Sequence, residues 1–184
     1  MAIIRIENSW ETFSKPDDIR RFLKEHNVTY EYWPTPARIQ PLIDAPTLSN
    51  ADKETVKNAY ADHLERLAHE EGFIQTDIVV LNPQTPKINE LLRKFDKEHY
   101  HTDNEVRYIF GGVGVFGFVG KNDLRFTVEV VAGDFISIPA YIWHWFNLTD
   151  AKNIKALRFF QDMSGWVPYY RDSAEQPILA LHKK

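Results

Sequence analysis

Between residues 105 and 160 the chain repeats one pattern six times: a short run of β-branched and aromatic residues, then a cluster of turn formers. The runs cover 105–110, 113–119, 124–131, 135–138, 143–148 and 154–160. The breaks between them read Gly-Gly, Gly-Lys-Asn-Asp, Ala-Gly-Asp, Pro-Ala and Thr-Asp-Ala-Lys-Asn. Short strands at regular spacing with turn chemistry between them predict an antiparallel sandwich or small barrel of the jelly-roll kind. Such a sheet has one interior, and alternate residues of every strand must point into it.

The first half of the chain reads differently. Ser14-Lys15-Pro16-Asp17-Asp18 is a helix start, with a hydroxyl to cap, an early proline and acids on the dipole; Ile19, Phe22 and Leu23 form its apolar face. Val28, Tyr30 and Tyr32 alternate as a short strand. Ser49-Asn50-Ala51-Asp52 resembles a capping box, and Val56, Tyr60, Leu64 and Leu67 repeat at helical spacing in one long helix until Gly72. Residues 77–81 form a strand ended by Asn82-Pro83, and Ile88, Leu91, Leu92 and Phe95 stripe a last helix that delivers the chain to His99. The expectation is a mainly β fold with N-terminal α-helices packed outside. It is one domain over residues 1–184, helical to about residue 98, with the barrel core from about 77 to 167.

Composition removes several functions. A net charge of -4 and no basic patch interleaved with aromatics argue against nucleic acid. The absence of cysteine removes disulfides, iron–sulfur clusters and thiol nucleophiles, and MAIIRIENSW lacks the pattern of a signal peptide, so a cytoplasmic location is expected. No apolar stretch approaches the roughly 18 residues of a membrane helix, so no membrane partner is expected.

Residues 99 to 107, His-Tyr-His-Thr-Asp-Asn-Glu-Val-Arg, carry the chemistry. His99 and His101 leave one face of a strand, as two ligands of one ion must, and Glu105 has the same parity. Four extended residues cover about 13 Å, too long a gap for side chains sharing one ion, so the chain is expected to bend at Thr102-Asp103-Asn104. Arg107 keeps the parity and would aim its guanidinium into the same cavity, to hold an anionic oxygen. His144, 39 positions past Glu105 behind a glycine–proline turn, completes a set of three imidazoles and one carboxylate suited to a divalent transition metal. His26, His63, His69 and His182 read as solvated or structural, Trp143, Trp145 and Trp166 as core or rim, and Lys94, Lys97 and Glu98 as a solvated face.

His99-x-His101-x3-Glu105-x6-Gly112, followed by Gly133-x5-Pro139-x4-His144, resembles the two motifs of the cupin superfamily, a jelly-roll barrel with one metal inside its sheets. Finer segments narrow this: Lys94-Phe95-x2-Glu98-His99-x-His101, Glu105-Val106-Arg107, Gly112-x-Gly114-x-Phe116, Gly133-Asp134-x-Ile136-x-Ile138-Pro139-Ala140, His144-Trp145-Phe146, and Arg158-x-Phe160 with Gly165-Trp166. They are similar to the acireductone dioxygenase family. With Tyr30-Glu31-x-Trp33, Ala59-Tyr60 and Glu71-Gly72-Phe73, the likeness spans about residues 28 to 167. Departures from the general cupin pattern are Arg93 in place of a glycine, Tyr141 in place of a small turn residue, where it could narrow the mouth, and Asn147 three rather than four residues past His144. Asn104 stands where the family usually has an acid.

The resemblance implies a metal-dependent enzyme that cleaves the enediol 1,2-dihydroxy-3-keto-5-methylthiopentene with O2. One Fe(2+) or Ni(2+) per chain would be held by His99, His101, Glu105 and His144, with cobalt or manganese also compatible with these donors. It implies formate and 2-keto-4-methylthiobutanoate from the iron form, in methionine salvage, and formate, carbon monoxide and 3-methylthiopropanoate from the nickel form. Arg107 would offset substrate charge, with Arg158 a second candidate; Phe95 and Phe146 are candidates for the methylthioethyl tail; no general base is evident, since Glu105 is engaged as a ligand. A monomer is expected. Two other readings stay open: a non-catalytic metal-binding cupin that senses or stores a small acid or sugar, and a cupin isomerase or different dioxygenase.

Overall fold

The computed structural model describes residues 1–162 and 167–171. In chain order its elements are β1 (Ile3–Ile6), β2 (Thr12–Phe13), α1 (Pro16–Glu25), β3 (Thr29–Tyr32), α2 (Gln40–Ile43), α3 (Asn50–Ala59), α4 (Ala61–Glu71), β4 (Gln75–Leu81) and α5 (Ile88–Leu92). There follow β5 (His99–Tyr100), β6 (Glu105–Val119), β7 (Arg125–Val131), β8 (Asp134–Ile138), β9 (His144–Leu148), β10 (Ile154–Phe160) and β11 (Tyr169–Tyr170). The strands form two leaves: β11-β5-β9-β6-β7-β1-β2, and β3-β8-β6-β10-β4. All pairings are antiparallel, and the sheet does not close. This is the mainly β jelly-roll form the turn spacing predicts, with helices outside it.

The leaves face each other across an apolar core that takes Ile4, Phe116, Phe118, Val128 and Phe146 from one and Ile109, Ile136, Ile138, Ile154 and Ala156 from the other. A second core lies on the outer face of the β8-β6-β10 leaf, where Val56, Tyr60 and Leu67 of the helical segment pack on Val106, Tyr108, Phe110, Leu157 and Phe159. The β6–β10 leaf is thus buried on both faces, and burial along its strands is nearly continuous rather than alternating. Helix α1 adds Ile19 and Leu23 to the inner core.

The structure corrects the sequence reading in several places. The Gly-Gly break is no break: β6 runs 15 residues through it and belongs to both leaves, its first half pairing with β8 and β10 and its second with β7 and β9. The register slips opposite Lys155 and Ala156. Glu105, Arg107 and Ile109 face inward before the slip, as Phe116 and Phe118 do after it, so the bulge swaps the inward parity from odd to even. The extra residue is Phe110, and Gly112, two residues on, takes φ +72 opposite Ile154.

The long helix is two. Tyr60, at φ -118 and ψ 21, leaves helical geometry to place its hydroxyl 2.6 Å from that of Tyr108 in the second core. Ser14 does not cap α1, whose N-cap is Lys15 with no side-chain bond, Pro16 following at the first turn. Helix α5 is also shorter than the 88–95 stripe suggested. The capping box of α3 is present: Asp52 N donates to Ser49 Oγ at 3.1 Å and Ser49 N to Asp52 Oδ2 at 2.8 Å. Ser49→Ala is expected to cost about 1 kcal/mol in a urea titration of the whole chain. An unchanged midpoint would mean that the packing of Val56 alone sets the start of α3.

Candidate metal centre

Register brings the site together from three strands. His99 of β5 sits opposite His144 of β9, and His144 in turn opposite Phe118 of β6. After His101 the chain bends at Thr102 and Asp103, as reach required, and re-enters the sheet at Glu105. Asn104 secures this turn: its Oδ1 accepts from Ala140 N at 3.1 Å, an anchoring duty the sequence reading had not assigned it. The ligand atoms offered by His99, His101, Glu105 and His144 all lie within 4.8 Å of one another. All four residues are 1–2% exposed.

Each imidazole is oriented by a backbone carbonyl. His99 Nδ1 lies 2.7 Å from Lys97 O, His101 Nδ1 2.9 Å from Val167 O and His144 Nδ1 2.8 Å from Ile142 O. A carbonyl can only accept, so each Nδ1 carries the proton and each Nε2 turns its lone pair toward the centre. Glu105 Oε2 lies 3.0 Å from His101 Nε2 and 3.1 Å from His144 Nε2, contacts between two acceptors when the rings are neutral. The buried His99 Nε2 meets no hydrogen-bond partner among the described residues. Converging lone pairs of this kind are what a cation relieves.

Electrostatics prepares the same donors. Burial, then the neighbouring His144, lowers the His99 pKa to about 4, so it is neutral at physiological pH. Burial pushes Glu105 up, but the Arg107 guanidinium beside it is the leading influence that holds the carboxyl well below its usual range. Arg107 Nε donates to Glu105 Oε1 at 2.6 Å, leaving Oε2 toward the imidazoles. The sequence parity sent Arg107 to the right face. The alternation Glu-x-Arg was also the available signal for this pair, which went unread.

The remaining candidates divide. Phe146 lies under the Arg107 guanidinium, 5.1 Å from Cζ to ring centroid, with Phe116 at 5.8 Å, and Phe95 sits 6.0 Å from the His99 ring. Arg158 is opposite Arg107 in register but holds Asp77 through two bonds of 2.8 and 2.5 Å. It also lines a groove of about 480 Å³ with Leu48, Ile78 and Thr85, which includes none of the four clustered residues.

Tyr141 does not stand over the cluster. It is 49% exposed, its φ is 67, and its ring packs on Tyr100, which leaves β5 on the face opposite His99. Glu98 is no solvated residue, since it accepts from both Arg125 and Arg171. His26 accepts from Lys121 N and His63 stacks on Trp33, both structural. Trp143 and Trp145 lie at the rim under Arg171 and Arg125. Gly165, Trp166 and His182 lie outside the described residues.

Comparison with known proteins agrees with this geometry. The model of the ARD/ARD' family matches residues 7–168. An acireductone dioxygenase of Leptospira interrogans is 45% identical over 170 residues, 92% of this chain and 96% of that protein. One from Microcystis aeruginosa is 38% identical over 174 residues, 94% of each chain. The solved structure of acireductone dioxygenase from Bacillus anthracis, described with a cadmium ion in its active centre, superposes with a TM-score of 0.87 at 35% identity, covering 92% of this chain and 98% of that one.

Proposed function

The chain belongs to the acireductone dioxygenase (ARD/ARD') family, and from that premise we propose the reaction it carries out in full. It is a metal-dependent dioxygenase with a four-residue metal site. Its substrate is 1,2-dihydroxy-3-keto-5-methylthiopentene, which it cleaves with O2 to formate and 2-keto-4-methylthiobutanoate in methionine salvage. Fe(2+) is the physiological ion, because that branch returns the carbon skeleton to methionine; Ni(2+) in the same site gives formate, carbon monoxide and 3-methylthiopropanoate. The observation that carries the reading is the buried, pre-oriented set of three Nε2 lone pairs and Glu105 Oε2 beside Arg107.

His99, His101, Glu105 and His144 hold the ion. When bound, it supplies Lewis acidity that favours the deprotonated enediol. Arg107, 7% exposed and poised over Phe146, offsets the negative charge of that enediolate. Arg158 is the second candidate for the same task, shared with Asp77. Phe95 and Phe146 pack against the methylthioethyl tail and keep water from the reacting carbons. Glu105 binds rather than takes a proton, since its low pKa makes it a poor base.

The chain acts as a single domain and a monomer in the cytoplasm. Among the described residues no helix is long and apolar enough to cross a membrane.

The test uses the enediol's absorbance. Protein loaded with Fe(2+) or Ni(2+) is mixed with substrate without oxygen, and absorbance is expected to persist until O2 is admitted. Products then separate by metal, the keto acid with iron and carbon monoxide with nickel. No loss of absorbance after O2 with either ion would sink the reading.

A further inference from the structure

The three imidazoles of the centre are not held alike. His99 and His144 donate to Lys97 O and Ile142 O, two residues away on their own chain, so their rings are set locally. His101 donates to Val167 O, 66 residues further on. Val167 belongs to the segment 167–171, which lies along β5 as strand β11, Tyr170 opposite His99 and Tyr169 opposite Tyr100. Strand β5 has two residues and meets β9 only at His99–His144, so β11 is its longer lateral support.

Glu98 fastens this strap. Arg171 Nη1 donates to Glu98 Oε2 at 2.8 Å and Arg171 N to Glu98 O at 3.3 Å, while the guanidinium sits 4.9 Å over Trp143. Tyr170 OH donates to Lys94 O at 2.8 Å, and the Tyr169 ring stacks on Tyr100 at 5.4 Å. The other Glu98 oxygen accepts from Arg125, whose Nε donates to Glu7 at 2.8 Å, tying the strap to β7 and the end of β1. The Glu98 side chain is 20% exposed and shared by two guanidiniums, a network rather than an isolated surface pair.

We propose that Glu98 and Arg171 are positioning residues for the metal centre: they fasten strand β11 on β5, and the carbonyl of Val167, two residues before β11, sets the ring orientation of His101. This rests on the reading of His99, His101, Glu105 and His144 as metal ligands. Partners that orient a ligand change metal affinity by about 10–100-fold when lost. Truncating Arg171, whose side chain is 44% exposed, leaves Glu98 paired with Arg125, so the fold survives while the strap loosens.

The experiment measures Co(2+) binding to the full chain by competition with a chelator, for the natural sequence, Arg171→Ala, Arg171→Lys and Glu98→Gln. Arg171→Ala and Glu98→Gln are expected to raise Kd for Co(2+) about 10–100-fold, and Arg171→Lys to recover part of the loss. The d–d bands of the saturated Arg171→Ala complex are expected to differ from those of the natural protein, while the metal-free melting temperature moves little. High salt is expected to narrow the gap between natural protein and variant, because the pair is partly exposed. Kd values within about twofold of the natural protein for both Arg171→Ala and Glu98→Gln would overturn the proposal. So would equal losses of affinity and metal-free stability with unchanged bands, the mark of general loosening. Failure of the natural protein to bind Co(2+) at all would remove the ligand reading, and the strap with it.

Discussion

His144→Ala is expected to leave a folded chain that retains no divalent ion through dialysis against a chelator and shows no dioxygenase turnover. His144 is the ligand candidate that reaches the cluster from β9, and its Nε2 stands 3.1 Å from Glu105 Oε2. Removing it takes away a donor itself, so the affinity loss should exceed the roughly 100-fold attached to a partner that merely orients one. The metal-free fold should not suffer in proportion, because the deletion also relieves an acceptor–acceptor contact and leaves no charge buried alone: Glu105 keeps Arg107 at 2.6 Å. Metal content per chain and the metal-free melting temperature are the two readouts. Full retention of the ion by the variant would refute the ligand set.

The largest expected effect on stability belongs to a residue without a side chain. A Cβ on Gly112 would meet Asn153 O at 2.0 Å, Asn153 C at 2.6 Å and Ile154 Cα at 2.8 Å, at a φ of +72. These atoms are backbone of the adjoining strand, held by the bond from Val113 N to Asn153 O at 3.0 Å, so they cannot swing away as a flexible side chain would. Gly112→Ala is therefore expected to cost more than about 4 kcal/mol, a large part of the whole stability of an ordinary domain. Gly72→Ala is the control: it shares φ +72, but nothing lies within 4 Å of its Cβ, so it should cost only about 1–2 kcal/mol. Urea denaturation of the pair separates backbone strain from collision. A Gly112→Ala loss as small as that of Gly72→Ala would show that the bulge can open.

What could be read in advance, and what could not, follows from where the information resides. The metal quartet was legible because ligand identity and parity are properties of side chains and strand geometry: His99, His101 and Glu105 share a parity but can reach one ion only if the chain bends, and it does. Turn chemistry placed most strands within a residue or two. Gly111-Gly112 misled because a turn and a bulge ask for the same residues, and only the partner strand β10 decides between them. The break at Tyr60 was invisible because it depends on Tyr108, 48 residues away. Glu98 looked solvated because its cations, Arg125 and Arg171, lie 27 and 73 residues downstream. The carbonyls of Lys97, Ile142 and Val167 that orient the imidazoles carry no mark of residue type at all.

Strand β6 starts at a ligand, Glu105, crosses from one leaf to the other at Gly112, and reaches the partner of another ligand where Phe118 pairs with His144. Melting either half of β6 therefore removes support from a ligand residue, Glu105 in one leaf or His144 in the other. An ion that binds the folded chain and not the unfolded one stabilises it by mass action, so a free ion at 1,000 times its Kd would protect the sandwich by about 4 kcal/mol. A cell short of the ion would accordingly face a less durable protein as well as an idle one.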